Sequence, residues 1–154
     1  ADTLWDVGAG TGSVSVELAL AAPRGHVYAV ECDPEACGLI RQNRETFHAC
    51  NLTLVEGRAP AALADLPAPD AVFIGGTKGG MEAVLDEVLG KNPNARICIS
   101  AIALETLGAA IAALTARGLT AEVTQIAVSR TKPAGRLHLL MANNPIFLIT
   151  GTRK

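Results

Sequence analysis

The chain has 154 residues and a formal net charge of -2; 49% of its residues are hydrophobic and only 3% aromatic. That length suits one domain able to bury its own core. No apolar run approaches the roughly 18 residues of a membrane-spanning helix, and no basic leader precedes an apolar stretch, so membrane partners are set aside and a cytoplasmic protein is expected.

Residues 4–7 (Leu-Trp-Asp-Val) form a short apolar run that reads as the first buried strand of a parallel sheet, and three glycines then open a helix over residues 13–22. Gly8 and Gly10 allow backbone angles closed to other residues, and the helix start offers unpaired N–H groups, which suits a nucleoside cofactor. The dinucleotide fingerprint Gly-x-Gly-x-x-Gly would place glycine where Ser13 stands, so the Gly-x-Gly-x-Gly spacing favours S-adenosylmethionine over NAD. A tight turn without a ligand is the plain alternative. Pro23, Arg24 and Gly25 end the helix, residues 26–30 read as a second strand, and Glu31 follows. An acid at that strand tip, about twenty residues past the glycines, is where a ribose diol is held. Glu31 is therefore the expected ribose ligand, able to accept two hydroxyl hydrogen bonds.

Asp33 is a plausible cap and Pro34 a first-turn residue for a helix running to about residue 48. Residues 52–55 read as a third strand; after it Gly57, Arg58 and Ala59 stand where such folds run along an adenine, Arg58 serving equally well as a surface residue. Residues 70–74 form a fourth strand that enters Gly75-Gly76-Thr77-Lys78-Gly79-Gly80. Four glycines at a strand tip beside the topological switch point imply close approach of backbone to a ligand, or else a flexible connector. A phosphate loop is excluded because Met81 follows Gly80. A helix over 81–89, a strand over 96–100 and a helix over 103–117 closed by Gly118 come next. Residues 119–128 then alternate as a strand, 129–135 are rich in turn formers, and 137–141 and 146–149 read as further strands without a helix between them. The pattern is α/β, Rossmann-like, with a parallel sheet ending in an antiparallel hairpin, as expected of class I S-adenosylmethionine-dependent methyltransferases. Residues 1–154 make one domain, and the first strand starts so close to Ala1 that a fragment lacking its N-terminal helix is expected.

Cys32, Cys37, Cys50 and Cys98 show no metal-ligand spacing with His26, His48 or His138, so no metal is expected and the thiols are read as reduced and mostly buried. Charge is unevenly placed. Residues 1–77 carry 4 Lys/Arg against 10 Asp/Glu, residues 78–154 carry 9 against 5, and no acid occurs from Val123 onward, where Arg130, Lys132, Arg136, Arg153 and Lys154 lie. A one-signed stretch points to an anionic partner or to solvated surface.

Four stretches resemble the precorrin methyltransferase/decarboxylase family of the cobalamin pathway: residues 5–13, the Phe-Ile-Gly-Gly of 73–76, the Ala-Leu-Glu-Thr-Leu of 103–107, and the Asn-Pro-Ile-Phe of 144–147. The resemblance implies methylation of carbon 15 of a precorrin with decarboxylation of an acetate side chain, S-adenosylmethionine as donor and S-adenosylhomocysteine as product. It also implies a seven-stranded sheet, a homo-oligomer, often a tetramer, and in some members fusion behind a methyltransferase domain acting on carbon 5. The insert Thr77-Lys78, which carries the charge of Lys78, departs from the shorter, uncharged insert expected of the family. The candidate cofactor-binding residues are Asp6, Gly8, Ala9, Gly10, Thr11, Gly12, Glu31, Cys32, Gly57, Arg58, Ala59, Gly75 and Gly76. Thr77, Lys78 and Glu105 are candidates for catalysis, and Arg130, Lys132, Arg136 and His138 for a tetrapyrrole substrate. Transfer from a sulfonium requires alignment and a dry pocket more than a general base. The rival readings are a methyltransferase acting on RNA through the basic C-terminal third, an NAD-dependent oxidoreductase, and a non-catalytic cofactor-binding subunit. Low aromatic content speaks against base stacking and hence against a nucleic-acid partner.

Overall fold

A computed structural model describes residues 2–153. Seven strands form the main sheet: β1 (Thr3–Val7), β2 (His26–Glu31), β3 (Leu52–Glu56), β4 (Ala71–Ile74), β5 (Arg96–Ala101), β6 (Thr120–Ile126) and β9 (Ile146–Thr152). Their order is β3-β2-β1-β4-β5-β9-β6, parallel except for β9, which runs antiparallel to both neighbours. The order reverses between β1 and β4, so the turns after these two strands flank the crevice where open α/β sheets take ligands.

Four helices cover the sheet: α1 (Ser13–Ala21), α2 (Pro34–Thr46), α3 (Met81–Lys91) and α4 (Leu104–Ala116). The Asp33 carboxylate caps α2 by accepting the Ala36 N–H at 2.9 Å, with Pro34 in the first turn. Strand β1 is buried on both faces, and its side chains alternate between two cores. Leu4 joins Val16, Val27 and Ile40 on the α1/α2 side, while Trp5 and Val7 join Leu85, Ile97 and Leu114 on the α3/α4 side. Such two-sided burial is why the strands read as continuous apolar runs.

Two expectations fail here. Stretch 129–135 is mostly not a turn: Ser129–Ala134 is a strand, β7, paired antiparallel with β8 (Leu137–Ala142) in a two-stranded ribbon outside the main sheet. Gly135, at φ +62, supplies the tight turn, and Pro133 is tolerated because each strand has a free edge. Every side chain of the ribbon is exposed, so no buried face imposes the period-2 pattern by which strands are recognised. The thiols are also not mostly buried: Cys37 is, Cys98 is half-buried, and Cys32 and Cys50 are exposed. Among the described residues no disulfide and no metal-binding cluster occurs, and no helix is long and apolar enough to cross a membrane.

Candidate active site

The turn after β1 is built by glycine. Gly8, Gly10 and Gly12 all have positive φ (72°, 56° and 77°), and the Gly8 and Ala9 N–H groups both donate to the Val30 carbonyl at 3.0 and 3.1 Å. A Cβ on Gly8 would lie 2.0 Å from the Gly76 oxygen, so the turns after β1 and β4 pack backbone on backbone. Gly76 itself faces open space.

Glu31 ties these turns together. Its Oε2 accepts the Gly10 N–H at 2.8 Å, and its Oε1 accepts the N–H groups of Cys32 (2.8 Å) and Asp33 (2.9 Å). Partial burial works against its ionisation, but the N–H groups of Asp33, Gly10 and Cys32 outweigh that and hold its pKa below the ordinary glutamate value. The carboxylate expected to accept two ribose hydroxyls is thus already engaged by backbone. A carboxylate offers about four acceptor positions, and three are filled by backbone, leaving room for one further hydroxyl at Oε2.

Beneath the turn, Asp6 is buried and accepts the Ser15 hydroxyl. Burial pushes its pKa up to about 6; the Ser15 hydroxyl and N–H oppose this, and the nearby Glu31 charge adds to it. Asp6 therefore braces β1 against α1 from below.

Two cavities meet at the β4 glycine loop. The first, about 130 Å³, is lined by Gly8, Val30, Glu31 and Cys32 on one side, Gly57, Arg58 and Ala59 on another, and Gly76, Thr77 and Lys78 on the third. Ala9, Gly10, Thr11 and Gly12 shape the turn without lining this cavity. The second, about 510 Å³, takes Gly75, Gly76, Thr77 and Lys78 from the same loop, Ser100 from the β5 tip, and Glu105 and Thr106 from α4. Val30, Ser100, Glu82 and Thr106 escape notice in the sequence; for Ser100 the signal was available, since it stands at the carboxyl end of a central strand. Lys78 lines both cavities, has a left-handed backbone (φ +47) unusual outside glycine, and makes no ion pair among the described residues.

The family model described as "Precorrin methyltransferase domain" matches residues 1–153. The chain belongs to that family. It is 44% identical over 151 residues to a probable cobalt-precorrin-6B C(15)-methyltransferase (decarboxylating) of Pyrobaculum calidifontis, spanning 96% of this chain and 76% of that protein. A crystal structure described as precorrin-6y C5,15-methyltransferase from Geobacter metallireducens superposes with a TM-score of 0.93 at 39% identity, covering 99% of this chain and 80% of that one. An O-methyltransferase of Thermotoga maritima, 17% identical with a TM-score of 0.77 over 99% of this chain and 60% of that one, shares the fold alone, the class I methyltransferase fold.

In this precorrin methyltransferase domain the ribbon leaves from the same edge as the two cavities. The last residue of β6 pairs with the first of β9 (Ile126 with Ile146), and Phe147 pairs with Ala101 at the carboxyl end of β5. Cross-strand partners share a face. Arg130 opposite Met141 and Lys132 opposite Leu139 thus make one basic, apolar-backed face, whereas His138, opposite Pro133, projects from the other. His138 is thereby separated from the two cations with which it was grouped, and Arg136 sits in the connecting turn. Lys154 lies outside the described residues.

Proposed function

We infer that the chain transfers a methyl group from S-adenosylmethionine to carbon 15 of a precorrin and carries out the accompanying decarboxylation of an acetate side chain. The observation that carries this reading is the pair of cavities joined by the Gly76–Lys78 backbone in a member of the precorrin methyltransferase family: a small one walled by the glycine turn and Glu31, and a larger one beside it.

The donor fits the first cavity on chemical grounds. Gly57 and Ala59 give a wall of small residues for an adenine, and Glu31 has one acceptor position open for a ribose hydroxyl. When bound, the sulfonium supplies an electrophilic methyl group. The chain's own part is placement: the glycine turns bring two loops into backbone contact, and Thr77 and Lys78 edge both cavities so that donor and acceptor are held side by side. Lys78 provides a cation for a substrate carboxylate, and Glu105 at the start of α4 stands at the edge of the acceptor cavity, where it can orient the water that protonates the carbon losing carbon dioxide.

Arg130, Lys132 and Arg136 extend the acceptor region with cations suited to a polycarboxylate. The ribbon also supports self-association into a homo-oligomer such as a tetramer, because its face opposite Arg130 and Lys132, which carries the exposed Leu140, gains stability by being covered. A cytoplasmic location belongs to the same reading.

Calorimetric titration with S-adenosylhomocysteine and with NADH tests the donor, and competition between a precorrin and transfer RNA for a labelled methyl group tests the acceptor. Binding of the first ligand and labelling of the precorrin are expected; binding of NADH alone, or labelling of RNA alone, overturns the reading.

A further inference from the structure

The turn from β5 into α4 breaks two local rules at once. Ile102 and Leu104 are each 70% exposed, among the most solvent-accessible large apolar side chains of the fold. Between them Ala103 occupies the N-cap position of α4 with no side-chain hydrogen bond to the helix, where Ser, Thr, Asp or Asn would stabilise it. Exposing apolar surface and omitting a cap both cost stability, and such violations concentrate where a surface serves binding.

The neighbourhood says what kind of ligand. Glu105 and Thr106, next along the chain, line the larger cavity with Ser100. On one flank stands Lys78. On the other, the edge continues through Ile126 and Ile146, 42% and 39% exposed, to the ribbon that carries Arg130 and Lys132. From the β4 tip to the β6 tip is three strand spacings, about 14 Å. The carboxyl edge thus presents an apolar centre between Lys78, which shares its cavity with Glu82 and Glu105, and the cations of the ribbon, an arrangement suited to a flat ring with an apolar face and carboxylates around its rim.

We propose that Ile102 and Leu104 are the seat on which the face of the tetrapyrrole ring rests, setting its height and tilt against the donor cavity while Lys78 and the ribbon cations hold rim carboxylates. The proposal rests on the reading of the larger cavity as the acceptor site. The side chains act by contact alone, so size and apolarity matter and donor binding does not depend on them.

The test measures the dissociation constant of the precorrin by absorbance titration in the presence of saturating S-adenosylhomocysteine. The double change Ile102→Ser and Leu104→Ser is expected to weaken precorrin binding roughly tenfold, with S-adenosylhomocysteine affinity and Tm unchanged, while Ile102→Leu with Leu104→Met stays within about threefold of the parent chain. Precorrin binding by the serine variant as tight as the parent's, or an equal loss of S-adenosylhomocysteine affinity, overturns the seat. Ala109→Trp, on an exposed position of α4 that lines the cavity, separates the two levels. If it weakens precorrin binding while the serine variant does not, the acceptor site stands and the seat falls; if neither variant weakens it, the acceptor reading itself fails.

Discussion

Replacing Glu31 by alanine removes one side chain and unpins three backbone N–H groups. The Cys32 and Asp33 bonds are solvent-exposed, and water takes over from the lost carboxylate at little cost. The Gly10 bond is part-buried and charge-assisted, and its loss loosens a turn already held at positive φ. A hydrogen bond of that kind contributes about 1.5–3 kcal/mol, which for a domain of this size lowers Tm by about 3–12 °C. The same change removes the open acceptor position and the fixed turn beside it, so S-adenosylhomocysteine affinity should fall roughly tenfold to a hundredfold. Thermal unfolding and calorimetry on Glu31→Ala measure the two effects, with Asp33→Ala as control. That control removes the α2 cap for about 1 kcal/mol of stability and should leave the ligand's dissociation constant alone. Glu31→Ala with parental Tm and parental affinity would refute the argument, and equal affinity losses in both variants would trace the effect to α2 instead.

Asp6 makes stability fall as pH rises. Its folded pKa, about 6 against an ordinary 3.8, means that its contribution is fully present below the lower value and lost as pH climbs through the higher, on the order of 1 kcal/mol of it between pH 5 and 8; urea unfolding of Asp6→Asn should lack that portion, and an identical pH profile would deny Asp6 the role. Gly76→Val places its side chain in open space between the two cavities, so Tm should hold while methyl transfer collapses; Gly8→Ala meets the Gly76 oxygen and should lose both. Retained transfer in Gly76→Val would make that loop a mere connector. Changing Arg130, Lys132 and Arg136 together to Ser should raise KM for the precorrin and flatten its salt dependence with S-adenosylhomocysteine affinity intact, each exposed cation contributing under about 1 kcal/mol. Unchanged kinetics would make them ordinary solvated surface.

The parallel part of the fold was legible because burial on both faces leaves mostly apolar runs, unbroken in Ala71–Ile74 and interrupted only by the buried Asp6 in Leu4–Val7, and because glycines punctuate the two functional turns. The ribbon was not, since Ser129–Ala134 has no buried face to impose alternation and carries a proline, which reads as a turn until the partner strand is seen. The site divides the same way. Glu31 stood out by its distance from the glycines, but its engagement with Gly10, Cys32 and Asp33 depends on how two turns meet in space. Ser100 is signalled only by its place at the carboxyl end of β5 and Thr106 only by its place in the 103–107 stretch; they meet because β5 and α4 lie beside the β4 loop. His138 and Lys132 are close in sequence, yet strand pleating sends them to opposite faces.

The central claim is best tested by the product itself. The chain should be incubated with a metal-free or cobalt-bound precorrin carrying the acetate and with S-adenosylmethionine labelled in its methyl group, and the product examined by mass spectrometry and carbon NMR. The account predicts a product with one labelled methyl at carbon 15 and one carboxyl group fewer, formed only when the donor is present. A product labelled at any other carbon, or label found on RNA and none on the tetrapyrrole, would contradict it.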